Sequence, residues 1–87
     1  MSPGEQLDAL LVLARELELE VRPLGRGGEA PQTSGVCRLR DRVFVMLAPD
    51  DPPERRVEVL AAALRENRAE ACESRYLQPA LRALLEP

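Results

Sequence analysis

The chain has 87 residues, of which 45% are hydrophobic and 31% charged, and its formal net charge is −3. This apolar mass suffices for one small folded domain over residues 1–87, which excludes two domains, an acidic disordered chain and a membrane-spanning segment. Histidine is absent and there are only two cysteines. A histidine-based catalytic triad, a histidine metal site and a four-thiolate zinc site are therefore excluded, and we expect no cofactor and no metal.

The first element is predicted to be a helix. Ser2 is a typical N-cap, Pro3 suits the first helical turn, and Glu5 completes a capping box. Apolar residues at helical spacing then indicate one buried stripe, formed by Leu7, Leu10, Leu11, Ala14 and Leu17. Around Leu19 the apolar period changes to two, which predicts a short strand that ends at Pro23.

Glycines and small polar residues predict a loop over residues 25–35, which is long for so small a domain. The run Gly-Arg-Gly-Gly at 25–28 leads to a predicted strand instead of a helix. A phosphate-binding loop at a helix N-terminus is therefore not expected, although the loop could be either functional or simply mobile.

The clearest strand signal runs from Val36 to Ala48. Cys37 and Leu39 alternate with arginines, which predicts a half-buried strand with these two side chains in the core. Asp41-Arg42 is predicted to form the turn of a hairpin. The apolar run over 43–48 predicts a central strand that is covered on both faces.

The second helix is predicted to begin at Asp51 as N-cap, with Pro52 in the first helical position. Its buried stripe consists of Val57, Leu60, Ala61 and Leu64. We expect the helix to end near Asn67, a polar connector over 68–75, and a short C-terminal helix over 79–86 that closes the core. The predicted fold is α+β with the order α-β-β-β-α-α, a three-stranded sheet and helices packed on it.

Residues 22–42 carry a charge of +3 between two acidic flanks. Alternation predicts that Arg38 and Arg40 lie on one strand face, so that the hairpin presents a basic stripe. Arg42, in the predicted turn, and Arg26, in the loop beside the hairpin, are further candidate contact residues. We predict these four arginines as partner-binding residues, with a solvated strand face as the plainer alternative. The absence of lysine and isoleucine indicates a GC-rich genome, so the all-arginine set is not evidence for phosphate binding.

The N-terminal residues lack a basic segment, and the apolar stretch after them is interrupted by Arg15 and Glu16. A secretory signal is therefore not expected. We predict a cytoplasmic protein that binds no membrane and in which Cys37 and Cys72 stay reduced.

Two resemblances add expectations. The run over 34–43, a proline-capped helix and the run over 76–79 (Tyr-Leu-Gln-Pro) resemble a small bacterial protein family over most of the chain, which implies no activity. A helix, a small sheet and a helix starting Pro-Glu-Arg-Arg are also similar to the core of ImmA/IrrE-type zinc peptidases, whose second helix carries His-Glu-x-x-His. Ala61, Ala62 and Arg65 hold these positions here, so this resemblance implies a catalytically empty version.

The sequence thus favours a non-enzymatic cytoplasmic protein-interaction module, with self-association as one form of binding. A small metal-dependent hydrolase is the first alternative, using the carboxylates at the start of the second helix: Asp50, Asp51, Glu54 and Glu58. Weak nucleic-acid binding through the hairpin is the second alternative. It is disfavoured because the chain is acidic and has no aromatic residues between the arginines.

Overall fold

The computed structural model describes residues 1–23 and 33–86. The elements in chain order are α1 (Pro3–Glu16), β1 (Glu20–Pro23), β2 (Gly35–Leu39), β3 (Arg42–Leu47), α2 (Pro53–Asn67), α3 (Ala69–Ser74) and α4 (Pro79–Leu85). The α+β class is confirmed. The predicted polar connector over 68–75 is wrong, because most of it forms α3.

β3 is the middle strand of a mixed sheet whose order is β1-β3-β2. β1 runs parallel to β3, and β2 pairs with β3 in an antiparallel hairpin. The hairpin turn is Arg40-Asp41, because Leu39 pairs with Arg42; the predicted turn at Asp41-Arg42 is wrong by one residue. Arg40 has a φ of 57°, a left-handed conformation that two-residue hairpin turns require and that favours glycine.

α1 begins as predicted. The Ser2 hydroxyl accepts a hydrogen bond from the Glu5 N–H at 3.2 Å, and the Glu5 carboxylate accepts one from the Ser2 N–H at 3.4 Å. Hydrogen bonds from Ser2 hold the pKa of Glu5 below its usual value. The capping box is therefore formed, as local sequence signals indicate.

The start of α2 differs from the prediction. Pro52 is the N-cap residue, so no side chain caps this helix. The Asp51 carboxylate instead accepts a hydrogen bond from the Ser34 N–H at 2.8 Å, and the Ser34 hydroxyl accepts one from the Ala48 N–H at 2.9 Å. Ser34 holds the pKa of Asp51 below its usual value. Asp51 thus connects the start of β2 with the end of β3 instead of capping α2.

The helices bury their apolar stripes against each other and against one face of the sheet. Leu10, Val45, Leu60 and Leu64 are fully buried, and Leu81 of α4 closes the core. The stripe predicted for α2 is confirmed, and the α1 stripe is confirmed with Leu11 and Leu17 only partly buried. In the part of the chain that the structure describes, no helix is long and apolar enough to cross a bilayer.

β3 is central in the sheet, as predicted, but the described helices cover only one of its faces. Val45 and Leu47 point toward the helices and are buried. Phe44 and Met46 point to the other side, are half-buried, and lie outside the buried core. The prediction of cover on both faces is therefore wrong for the described elements, because an apolar run does not show which layer lies over its second face.

Candidate interaction surfaces

Of the arginines predicted as contact residues, the three that the structure describes do not share a face. Arg38 pairs with Val43 and lies on the helix-side face of the sheet, whereas Arg42 lies on the opposite face. Arg40 is in the turn, and Arg26 lies outside the described residues. The prediction that Arg38 and Arg40 line one strand face is wrong, because β2 ends before Arg40 and the alternation ends with it.

A polar network covers part of the open sheet face. The Arg42 guanidinium contacts the Glu20 carboxylate at 2.8 Å, and Glu20 also pairs with Arg22. The Arg22 guanidinium lies over the Phe44 ring, 4.5 Å from its centroid. All three arginines of the hairpin are exposed, and Arg42 is also engaged in an ion pair within the chain.

The β2 side of the same face is apolar. Cys37 pairs across the hairpin with Phe44, and its sulfur lies 3.1 Å from the Met46 sulfur. Leu39, on the same face, is 64% exposed. The predictions that Cys37 and Leu39 point into the core are therefore wrong, since β2 turns this set of side chains away from the helices.

A second apolar surface lies where α1 approaches the segment before α4. We call it the helical patch: Met1, Val12 and Tyr76. Tyr76 is 86% exposed, Val12 59% and Met1 51%. These three side chains line a shallow depression of about 490 Å³. Large apolar side chains that share one exposed depression are typical of protein-contact surfaces.

An ion pair borders the helical patch. The Arg75 guanidinium contacts the Glu16 carboxylate at 3.4 Å, and both side chains line the same depression. An apolar centre with a charged rim is the usual arrangement of a protein interface. Sequence patterns did not predict this surface, although Val12 departs from the buried stripe of α1 and so offered a signal.

An apolar groove of about 530 Å³ lies beside α1, on the other side from the helical patch. Its walls come from α1, from the residues between α1 and β1, and from the carboxyl ends of the parallel strands β1 and β3. The apolar lining residues are Leu7, Leu11, Leu19, Val21, Pro23, Leu47 and Pro49. Arg15 of α1 and Arg56 of α2 complete the lining of this groove.

Two of the four carboxylates of the hydrolase alternative, Asp51 and Glu58, have other partners. Asp51 is held by Ser34, and Glu58 contacts Arg55 at 3.2 Å. Within residues 1–23 and 33–86, no three potential ligands among histidine, cysteine, aspartate and glutamate are grouped to hold a metal. Burial raises the pKa of the Cys72 thiol, which favours its protonated form despite the nearby Arg75.

The positions that would hold the zinc-peptidase motif serve packing here. Ala61 is buried in α2, and the Arg65 guanidinium donates to the Leu84 carbonyl oxygen at 3.0 Å, which joins α2 to α4. No protein-family model, curated protein or solved structure matches the chain. Both family resemblances therefore stay predictions.

Proposed function

We propose that this chain is a non-enzymatic protein-interaction module of the cytoplasm and that its protein partner binds the helical patch. The observation that carries the proposal is the exposure of Tyr76, 86%, beside the exposed Val12. Full burial of one large apolar side chain contributes roughly 1.5–3 kcal/mol. Tyrosine is also enriched among the residues that dominate binding energy at interfaces.

Several features support a binding role over catalysis. The chain contains no histidine to act as a base near neutral pH. The Cys72 thiol has a raised pKa, which opposes its use as a nucleophile. Cys37 and Cys72 are both free thiols, which is compatible with a reducing compartment. The partner can be a different protein or a second copy of this chain.

The hairpin supports the same function in a secondary role. Arg38 and Arg40 are exposed, so they are available to an acidic partner surface. Charges at the edge of an interface raise the association rate more than the final affinity. We therefore assign the apolar anchor to the helical patch and long-range attraction to these two arginines.

Site-specific photo-crosslinking in the native host tests the proposal. The photoreactive residue p-benzoylphenylalanine replaces Tyr76 in one variant and Ala83, an exposed residue of α4, in a matched control. We expect a discrete covalent adduct from position 76 and none from position 83. The protein in that adduct, which can be this chain itself, is then purified for titrations.

The titrations compare three substitutions. Val12→Arg and Tyr76→Ala should each weaken binding at least about tenfold, or about 1.4 kcal/mol, whereas Ala83→Arg should leave the affinity unchanged. Thermal unfolding of each variant verifies that the fold is intact. Unchanged affinity in both patch variants would overturn the assignment. So would a loss of affinity confined to a variant that combines Arg38→Glu with Arg40→Glu.

A further inference from the structure

The groove beside α1 combines an apolar interior with positive charge. Both ionisable side chains that line it, Arg15 and Arg56, are cationic, and the described lining contains no carboxylate. Within residues 1–23 and 33–86, the Arg15 side chain has no hydrogen bond or ion pair. Arg56 donates its Nε–H to the Asp51 carbonyl oxygen at 3.1 Å, and within the same described residues its two terminal nitrogens remain for other partners.

One carboxylate, that of Asp51, lies near Arg56 and has another hydrogen-bond partner. The Asp51 carboxylate is influenced by Arg56, but its closest contact is the Ser34 N–H at 2.8 Å. The groove therefore offers two guanidinium groups that can bind a carboxylate through charge-assisted hydrogen bonds. Beside these guanidinium groups, Leu11, Val21 and Leu47 form apolar walls of the groove.

The dimensions and location suit a small molecule. A volume of about 530 Å³ falls within the range of sites that hold small ligands. The groove also lies at the carboxyl ends of two parallel strands, β1 and β3, which is where open sheets place ligands. An apolar ligand without charge would leave both guanidinium groups unused, and a compact anion would leave the apolar walls uncovered.

We propose that this groove binds a small amphipathic carboxylate, with its apolar chain between α1 and β1 and its carboxylate on Arg15 and Arg56. The proposal is independent of the protein partner, because the helical patch lies on a different side of α1 and shares no lining residue with the groove.

Calorimetric titration of the full chain with decanoate, below its micelle-forming concentration, tests this proposal. Decanol is the uncharged control with the same apolar chain. We expect saturable one-to-one binding of decanoate and at least about tenfold weaker binding of decanol, because hydrogen bonds to a charged group are the stronger ones. Backbone amide NMR shifts should move at Leu11, Val21 and Leu47 and not at Tyr76.

Three substitutions locate the carboxylate. Arg15→Gln and Arg56→Gln should each weaken decanoate binding about tenfold, whereas Arg55→Gln, a matched change at an exposed arginine of α2, should have no effect. Arg15 is exposed, so its variant should fold normally. Absence of saturable binding, equal affinity for decanol, equal losses in all three variants, or shifts centred on Tyr76 would each overturn the proposal.

Discussion

The turn after α1 holds Glu18 in a conformation that suits glycine, and Glu18→Gly should therefore stabilise the protein. The φ of Glu18 is 59°. The Leu19 N–H donates to the Ala14 carbonyl oxygen at 2.8 Å, and the Glu18 N–H donates to the Arg15 carbonyl oxygen at 3.1 Å. These two hydrogen bonds form a Schellman motif at the end of α1. This turn directs the chain from α1 into β1, so it also shapes the groove.

The size of the effect follows from two opposing contributions. A left-handed conformation costs an L-residue roughly 1–2 kcal/mol, and glycine removes that cost. Glycine also gives the unfolded chain more freedom, which costs about 0.4–1 kcal/mol. The net gain in the free energy of unfolding should be about 1 kcal/mol, which in a domain of this size raises Tm by about 4–8 °C.

Urea and thermal unfolding of three proteins measure this gain: the parent, Glu18→Gly and Glu18→Ala. The alanine variant is the matched control, because it removes the same carboxylate from the C-terminal end of α1 but keeps the β-carbon. Glu18→Gly should be more stable than Glu18→Ala by about 1 kcal/mol. Equal stability of the two variants would refute the argument from backbone strain.

Three further changes follow from named contacts. Arg68→Met should lower the free energy of unfolding by about 1–3 kcal/mol in urea titrations, because Arg68 donates to the Leu17 and Glu18 carbonyl oxygens at 2.9 and 3.1 Å; an unchanged midpoint would contradict this. Arg40→Gly should stabilise the hairpin turn by about 1 kcal/mol, and no rise in Tm would show that the positive φ carries no strain. Asp51→Asn should reduce stability at neutral pH. Ser34 lowers the pKa of Asp51 in the folded state, so this stabilisation is present above the unfolded carboxyl pKa and is lost as the pH falls through the folded pKa. If the stability of the variant and that of the parent fell in the same way with decreasing pH, this role of Asp51 would be excluded.

Local signals predicted α1, α2 and α4 but missed α3. The capping box of α1 and the apolar stripe of α2 both depend on residues three or four apart, so the sequence contains all the information they need. Asp51 shows the limit of such signals. Its position fits a helix cap, but its carboxylate instead accepts a hydrogen bond from Ser34, which is 17 residues away in the sequence. α3 has no side-chain cap, and its one buried residue is Cys72, so little in its sequence marks it.

The surfaces were harder to predict because they depend on how the elements pack. Alternation separates Cys37 and Leu39 from their neighbours in β2, but it does not show which set faces the helices. The groove takes its lining from several elements, and only the packing of α1 beside β1 brings Arg15 and Arg56 to one place. The spacing of Tyr76 in the sequence does not predict its exposure either, because that exposure depends on where the segment before α4 lies.

α1 contains more apolar residues than the core buries, and two of them line the two proposed sites. Residues 9–14 are a continuous apolar run, and successive residues of a helix point about 100° apart, so such a run points in every direction. The core uses only part of it: Leu10, Leu13 and Ala14 are buried. Leu11 faces the groove and Val12 faces the helical patch. Packing within the chain covers Leu11 only in part and leaves Val12 59% exposed. The two proposed sites would cover what this packing leaves exposed on either side of α1.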